Sequence, residues 1–155
     1  MKKLNLLPVL LIILLTAFAA NAFAQAGHDT SKANNIVIDA KGGIYNHDGT
    51  KLGYITKDDI VKNNKGEKLY FIDRDGNVID AKGNKLGMAK KNGNYYNNKG
   101  QTVLQLKNIN DETCAILDPQ GHNLGTVHKN YKLHACAAHC YFLEQKKLKD
   151  AKTKE

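Results

Sequence analysis

The stretch NNKGEKL, residues 63–69, decides the reading of this chain because it returns four more times with small edits. The other copies are NHDGTKL at 46–52, DAKGNKL at 80–86, NNKGQTV at 97–103 and DPQGHNL at 118–124. Each opens on Asn or Asp and carries Gly in fourth place. An Asn or Asp side chain at the first turn position accepts hydrogen bonds from the backbone ahead, and Gly at the fourth enters the left-handed region without a Cβ clash. The stretch therefore predicts a type I turn with a following glycine bulge, closing a short hairpin. Pro119, second in its copy, suits the fixed φ of that position.

The corner glycines Gly49, Gly66, Gly83, Gly100 and Gly121 are spaced 17, 17, 17 and 21 residues apart, the excess being an insertion at Asn110-Asp111-Glu112-Thr113. The units are 42–58, 59–75, 76–92, 93–109 and 114–130. A second set of corners lies between units, at Asp39–Gly42, Asp73–Gly76 and Asn92-Gly93. Only short strands fit between such corners. Three positions of the unit are apolar in every copy. The third holds Ile44, Val61, Val78, Tyr95 or Ile116. The eleventh holds Leu52, Leu69, Leu86, Val103 or Leu124, and the fourteenth Ile55, Ile72, Ala89, Leu106 or Val127. These are the expected core.

The interval of three between the last two sets departs from the two-residue period of a flat strand. Gly53, Gly87 or Gly125 stands between them, which predicts a bulge at the glycine that turns both neighbours inward. Tyr70 and Leu104 break that rule. A propeller blade needs about 40 residues, so these units are too short for one. Hairpins that cannot bury their own apolar faces must close on one another, and radial closure also removes sheet edges. Ile36-Val37-Ile38 is expected to be an extra strand completing the ring beside the last unit. The fold class is all-β: five short hairpins of 17 residues closed around a central axis, followed by a short apolar helical segment.

The units GGIYNHDGTKLGYI and GNVIDAKGNKLGMA, with the apolar tail, resemble the bacterial 5-fold β-flower proteins over about residues 36–143. The resemblance implies five short hairpins about an axis and carries over no activity and no site residues. The NDET insertion and the two Cys and two His of the tail depart from the pattern.

Lys2 and Lys3, the apolar run Leu4–Ala20 and the small residues Ala22-Phe23-Ala24 read as a signal peptide, residues 1–24. A polar linker, 25–35, then leads to the repeat domain, 36–130, and the tail, 131–155. The chain is thus expected to be exported: periplasmic, outer-surface or secreted. Cleavage takes away two lysines, and the formal net charge of +8 falls to +6. Positive charge is nearly all Lys, with Arg74 the single Arg. Bidentate readout of guanine uses Arg, so sequence-specific nucleic-acid binding is not expected.

Candidate chemistry is sparse. Ser31 is the only serine, no nucleophile elbow or P-loop occurs, and paired acids such as Asp73 and Asp75 fall in turns. No catalytic residue is assigned. The tail stretch His134-Ala-Cys136-Ala-Ala-His139-Cys140 holds the chain's main concentration of soft donors. On a helix, Cys136, His139 and Cys140 are three and four residues apart and offer a zinc or copper set, with His134 or Cys114 as fourth ligand. The bland reading is that these residues pack the tail against the ring. Cys136 and Cys140 are too far apart within one helix to bond each other, so a disulfide is expected from Cys114 to one of them. The leftover thiol would be open to a disulfide-linked dimer. Lys65, Lys82 and Lys99 share one corner position and would form a cationic rim suited to an acidic glycan. The functional expectation is an exported, non-enzymatic structural or binding module acting through its repeated surface, towards an envelope protein or acidic glycan. The alternative is a metal- or redox-active protein using the HACAAHC tail.

Overall fold

The computed structural model describes residues 35–153. The signal peptide and all of the linker except Asn35 lie outside the described residues. Eleven strands form one closed barrel in the order β1-β11-β10-β9-β8-β7-β6-β5-β4-β3-β2. They are β1 (Ile36–Ile38), β2 (Gly43–Asn46), β3 (Lys51–Ile55), β4 (Ile60–Asn63), β5 (Lys68–Ile72), β6 (Asn77–Asp80), β7 (Lys85–Ala89), β8 (Tyr95–Tyr96), β9 (Thr102–Asn108), β10 (Thr113–Leu117) and β11 (Asn123–His128). Each repeat supplies one antiparallel hairpin, β2–β3 through β10–β11. Strand β1 closes the ring as expected, antiparallel to β2 and parallel to β11, with Ile36 opposite Gly125 and Ile38 opposite Val127. A 3-10 turn (Lys129–Tyr131) then leads into helix α1 (Lys132–Lys152).

The corners form as their chemistry dictates. Asn63 Oδ1 accepts from the Lys65 and Glu67 amides at 2.9 and 3.0 Å, and the Gly66 amide returns to the Asn63 carbonyl at 3.0 Å. The same pair of side-chain bonds recurs at Asn46, Asp80, Asn97 and Asp118. All five corner glycines are left-handed, with φ between 75° and 90°.

The bulge lies one residue earlier than the glycines suggest. In the first hairpin Ile44 faces Gly53 and Tyr45 faces Lys51, so Leu52 is the residue without a cross-strand partner. Leu69, Leu86, Val103 and Leu124 are skipped in the same way. These eleventh residues are half-buried and pack against the core at its margin. The twelfth residue is not a hinge. It faces inward together with the fourteenth, and β3, β5 and β7 share one pattern: buried at twelve and fourteen, half-exposed at thirteen. Gly53, Gly87 and Gly125 leave room there; a Cβ on Gly87 would run into the Tyr95 hydroxyl, and one on Gly125 into the Ile36 carbonyl. Tyr70 and Leu104, which broke the rule as written from sequence, are the large inward residues of an alternating large and small ring. The third-position residues are all buried, as are the fourteenth except Leu106, which is half-buried.

Helix α1 fills the axis. Six consecutive residues, His134 to His139, are buried, and at 100° per residue they point in every direction around the helix. A helix buried on all sides must be enclosed, and the small Ala135, Cys136, Ala137 and Ala138 let a cylinder of about 10–12 Å fit inside the short strands. Ala, Leu and Lys favour the helix intrinsically, and Lys149 and Lys152 complement the dipole at its end. The charged segment from Gln145 continues the helix to Lys152.

Candidate functional site

The helix enters at the rim of inter-unit corners. A Cβ on Gly42 would meet the Tyr131 ring at 2.9 Å, and one on Gly93 would meet the Lys132 carbonyl at 3.1 Å. One corner of this rim was not recognisable as such. Thr56–Asp59 closes with the Asp59 amide donating to the Thr56 carbonyl at 3.3 Å, and Asp59 occupies the place held by Gly42, Gly76 and Gly93. Asp59 is left-handed, φ 56°, the single non-glycine residue of that kind among the described residues. Asn and Asp tolerate this region best after Gly, so alignment with the corner glycines was the signal available. The reason for a side chain here is inside the ring: Asp59 Oδ1 lies 3.0 Å from Nε2 of the buried His134. Burial pulls the His134 pKa below the ordinary histidine value, outweighing the pull of Asp59 in the other direction. The pair ties the helix entrance to the rim.

Around the helix lies a sheltered cluster of rings and thiols. Tyr70 is fully buried, 5.2 Å from the Tyr141 ring and 6.2 Å from the His134 ring, centroid to centroid. Burial holds the Tyr70 and Tyr95 phenols, and the Cys136 thiol, well above their ordinary ranges, and pushes Cys140 up to about 12. Metal ligation and nucleophilic attack both need the thiolate, which this environment disfavours. Among the described residues no three of His, Cys, Asp and Glu come together as a metal-holding group. The expected set of Cys136, His139 and Cys140, with His134 or Cys114, is therefore not assembled; His134 is directed to Asp59. Nor is the expected disulfide formed. All three cysteines are free, and Cys114 donates instead to Asn108 Oδ1 at 3.3 Å, across the β9–β10 pair.

The other end of the ring carries the repeated corners and the departing helix. Asn46, His47 and Asp48 of the first corner line one cleft with Phe142, Lys146 and Lys149 of α1. Lys65, Lys82 and Lys99 stand exposed on three successive corners of this rim. Neighbouring corners are stitched together: Asn64 Nδ2 donates to the Lys51 carbonyl at 2.7 Å, and Asn98 Nδ2 to the Lys85 carbonyl at 2.9 Å. Lys146 and Lys149 of the helix meet the first of the repeated corners, a placement that linear order gave no reason to expect.

A family model described as 5-fold beta-flower protein matches residues 24–144, most of the chain, including the ring and the buried half of the helix. The chain is a 5-fold beta-flower protein. No curated protein and no solved structure matches it. In this beta-flower protein the helix supplies six consecutive buried residues, His134 to His139, at the axis, while the rim lysines stand exposed.

Proposed function

We propose that this beta-flower protein is an exported, non-enzymatic binding module that meets an envelope component through the repeated outer surface of its ring. The observation that carries the reading is the helix through the axis. It buries His134, His139 and Cys136, so the side chains best suited to catalysis face packed interior. The groups repeated towards solvent are corner amides and lysines. Asp73 and Asp80, two of the corner acids, are kept below the ordinary carboxylate range by hydrogen bonds, first from the Asn77 and Asn84 side chains. They stay ionised at neutral pH and make poor general acids. The run of residues 1–24 supports export.

The test is co-sedimentation of the chain from Gln25 onward with isolated envelope material. Saturable binding is expected, together with a clear loss when Lys65, Lys82 and Lys99 are all changed to Gln, substitutions on exposed turn positions that leave the melting temperature unchanged. Undiminished retention of the triple variant, or no retention of the parent, refutes the reading.

A further inference from the structure

The seam between the third and fourth hairpins differs from its neighbours. Strand β8 has two residues where β4 and β6 have four, and the wall beside it opens into a cleft of about 330 Å³. Its lining includes Lys85, Met88, Lys90, Tyr96, Asn97 and Asn98 and, among the described residues, no carboxylate. Lys85 starts β7 and Lys90 directly follows its end. The backbone between them spans five residues, about 17 Å at about 3.4 Å each, so the cleft runs down the wall with a cation at either end. Met88 and Tyr96 are cross-strand partners and form its half-buried floor.

At the two preceding seams a lysine covers an aromatic ring of its own strand. Lys51 Nζ sits over the Tyr54 ring at 5.7 Å from its centroid, and Lys68 Nζ over Phe71 at 5.1 Å. Lys85 holds the matching position in the third unit, but its strand carries Met88 there, and the aromatic residue has moved to the facing strand as Tyr96. The lysine and the ring are thus separated, and each presents its own binding character to the cleft.

We propose that this cleft binds a short acidic oligosaccharide. The proposal rests on the binding-module reading and names the ligand class and the subsite. A pyranose ring has an apolar face that an aromatic side chain covers by dispersion, and Tyr96 with Met88 supplies that floor. Sugar carboxylates are single anionic points, suited to the compact ammonium of Lys rather than to the bidentate fork of Arg; Lys85 and Lys90 place two such points apart along the wall. Asn98, whose Nδ2 donates to the Lys85 carbonyl, keeps its second N–H and its Oδ1 for hydroxyls. Asn97 is itself fixed by its bonds to Lys99, Gln101 and the Gln101 side chain, so the upper end of the cleft is held in shape.

The test is an NMR titration of the chain from Gln25 onward with a trisaccharide of galacturonic acid, and separately with its carboxyl-reduced neutral counterpart. The acidic sugar should shift the resonances of Met88, Tyr96, Asn97 and Asn98, and its affinity should fall as salt is raised. The neutral sugar should bind at least tenfold more weakly. K85Q with K90Q should weaken binding at least tenfold, and Tyr96→Val at least fivefold; the lysine pair is exposed and leaves the melting temperature unchanged. Equal binding of the neutral sugar, shifts mapped to another face, no binding of the acidic sugar, or full affinity in the lysine double variant each overturn the proposal. So does a short single-stranded oligonucleotide that occupies the cleft as tightly as the trisaccharide. Envelope co-sedimentation that depends on Lys65, Lys82 and Lys99 but not on Lys85 and Lys90 overturns the cleft while leaving the binding module standing.

Discussion

Replacing Tyr70 by Phe should stabilise this protein. Tyr70 has no exposed surface, and its hydroxyl is buried without a hydrogen-bond partner among the described residues. A polar group left unsatisfied in the interior costs about 1–3 kcal/mol, and Phe keeps the ring against Tyr141 and His134 while removing that group. A gain of about 1 kcal/mol is expected, which for a domain of this size raises the melting temperature by about 4 °C. Tyr70→Ala is the opposing control. It empties the largest fully buried side-chain position, at a cost of about 3–5 kcal/mol; the Tyr141 pairing is part of what is lost. Against a total stability of about 5–15 kcal/mol, the Ala variant should remain folded but melt far lower. Urea titration with thermal melts measures both, and unchanged m-values would confirm that the denatured state is unaltered. A Phe variant less stable than the parent by about 1 kcal/mol would show that the hydroxyl is satisfied in solution and that the inward position of Tyr70 has been misjudged.

Three further outcomes follow from the same packing. The His134 pKa is lowered in the fold, so the unfolded chain takes up a proton that the folded one refuses; stability is complete above about pH 6.5 and falls as pH drops through that value. In urea titrations from pH 8 to pH 5, His134→Gln should flatten this limb, and an unchanged slope would refute it. Gly83→Ala and Gly87→Ala should separate conformation from crowding. Gly83 has φ 90° and open space, so its cost is about 1–2 kcal/mol. Gly87 faces the Tyr95 ring, with Cζ 2.6 Å from an added Cβ, and should cost the upper part of about 1–3 kcal/mol or more; equal melting temperatures would contradict the inward orientation of the twelfth residue. Mass spectrometry after alkylation without reductant should find three modified cysteines in unfolded protein, and Cys136 unmodified in folded protein. A mass lower by two hydrogens, or a dimer on a non-reducing gel, would restore a disulfide.

The five hairpin corners and the alternation of strand and turn were legible in the chain because they depend on contacts only a few residues long. An Asn or Asp side chain capping its own turn, and a glycine without a Cβ at positive φ, behave alike in any fold. The third-position core and the closing strand Ile36–Ile38 followed from the same repetition, since apolar faces that recur must meet. What the axis contains was decided only by the tertiary structure. Whether Gly87 bends the strand or faces inward depends on which cross-strand residue it meets, and that register places the bulge at Leu86. Whether Asp59 is an ordinary turn acid or the anchor of a buried histidine depends on a helix 75 residues further along the chain. Helical spacing left the thiols open as ligands or as packing, because it says which residues share a face but not how much solvent that face keeps. That burial follows from closure of the ring: with eleven strands around the helix, Cys136 and His134 lose solvent, which raises the thiol pKa and lowers that of the imidazole.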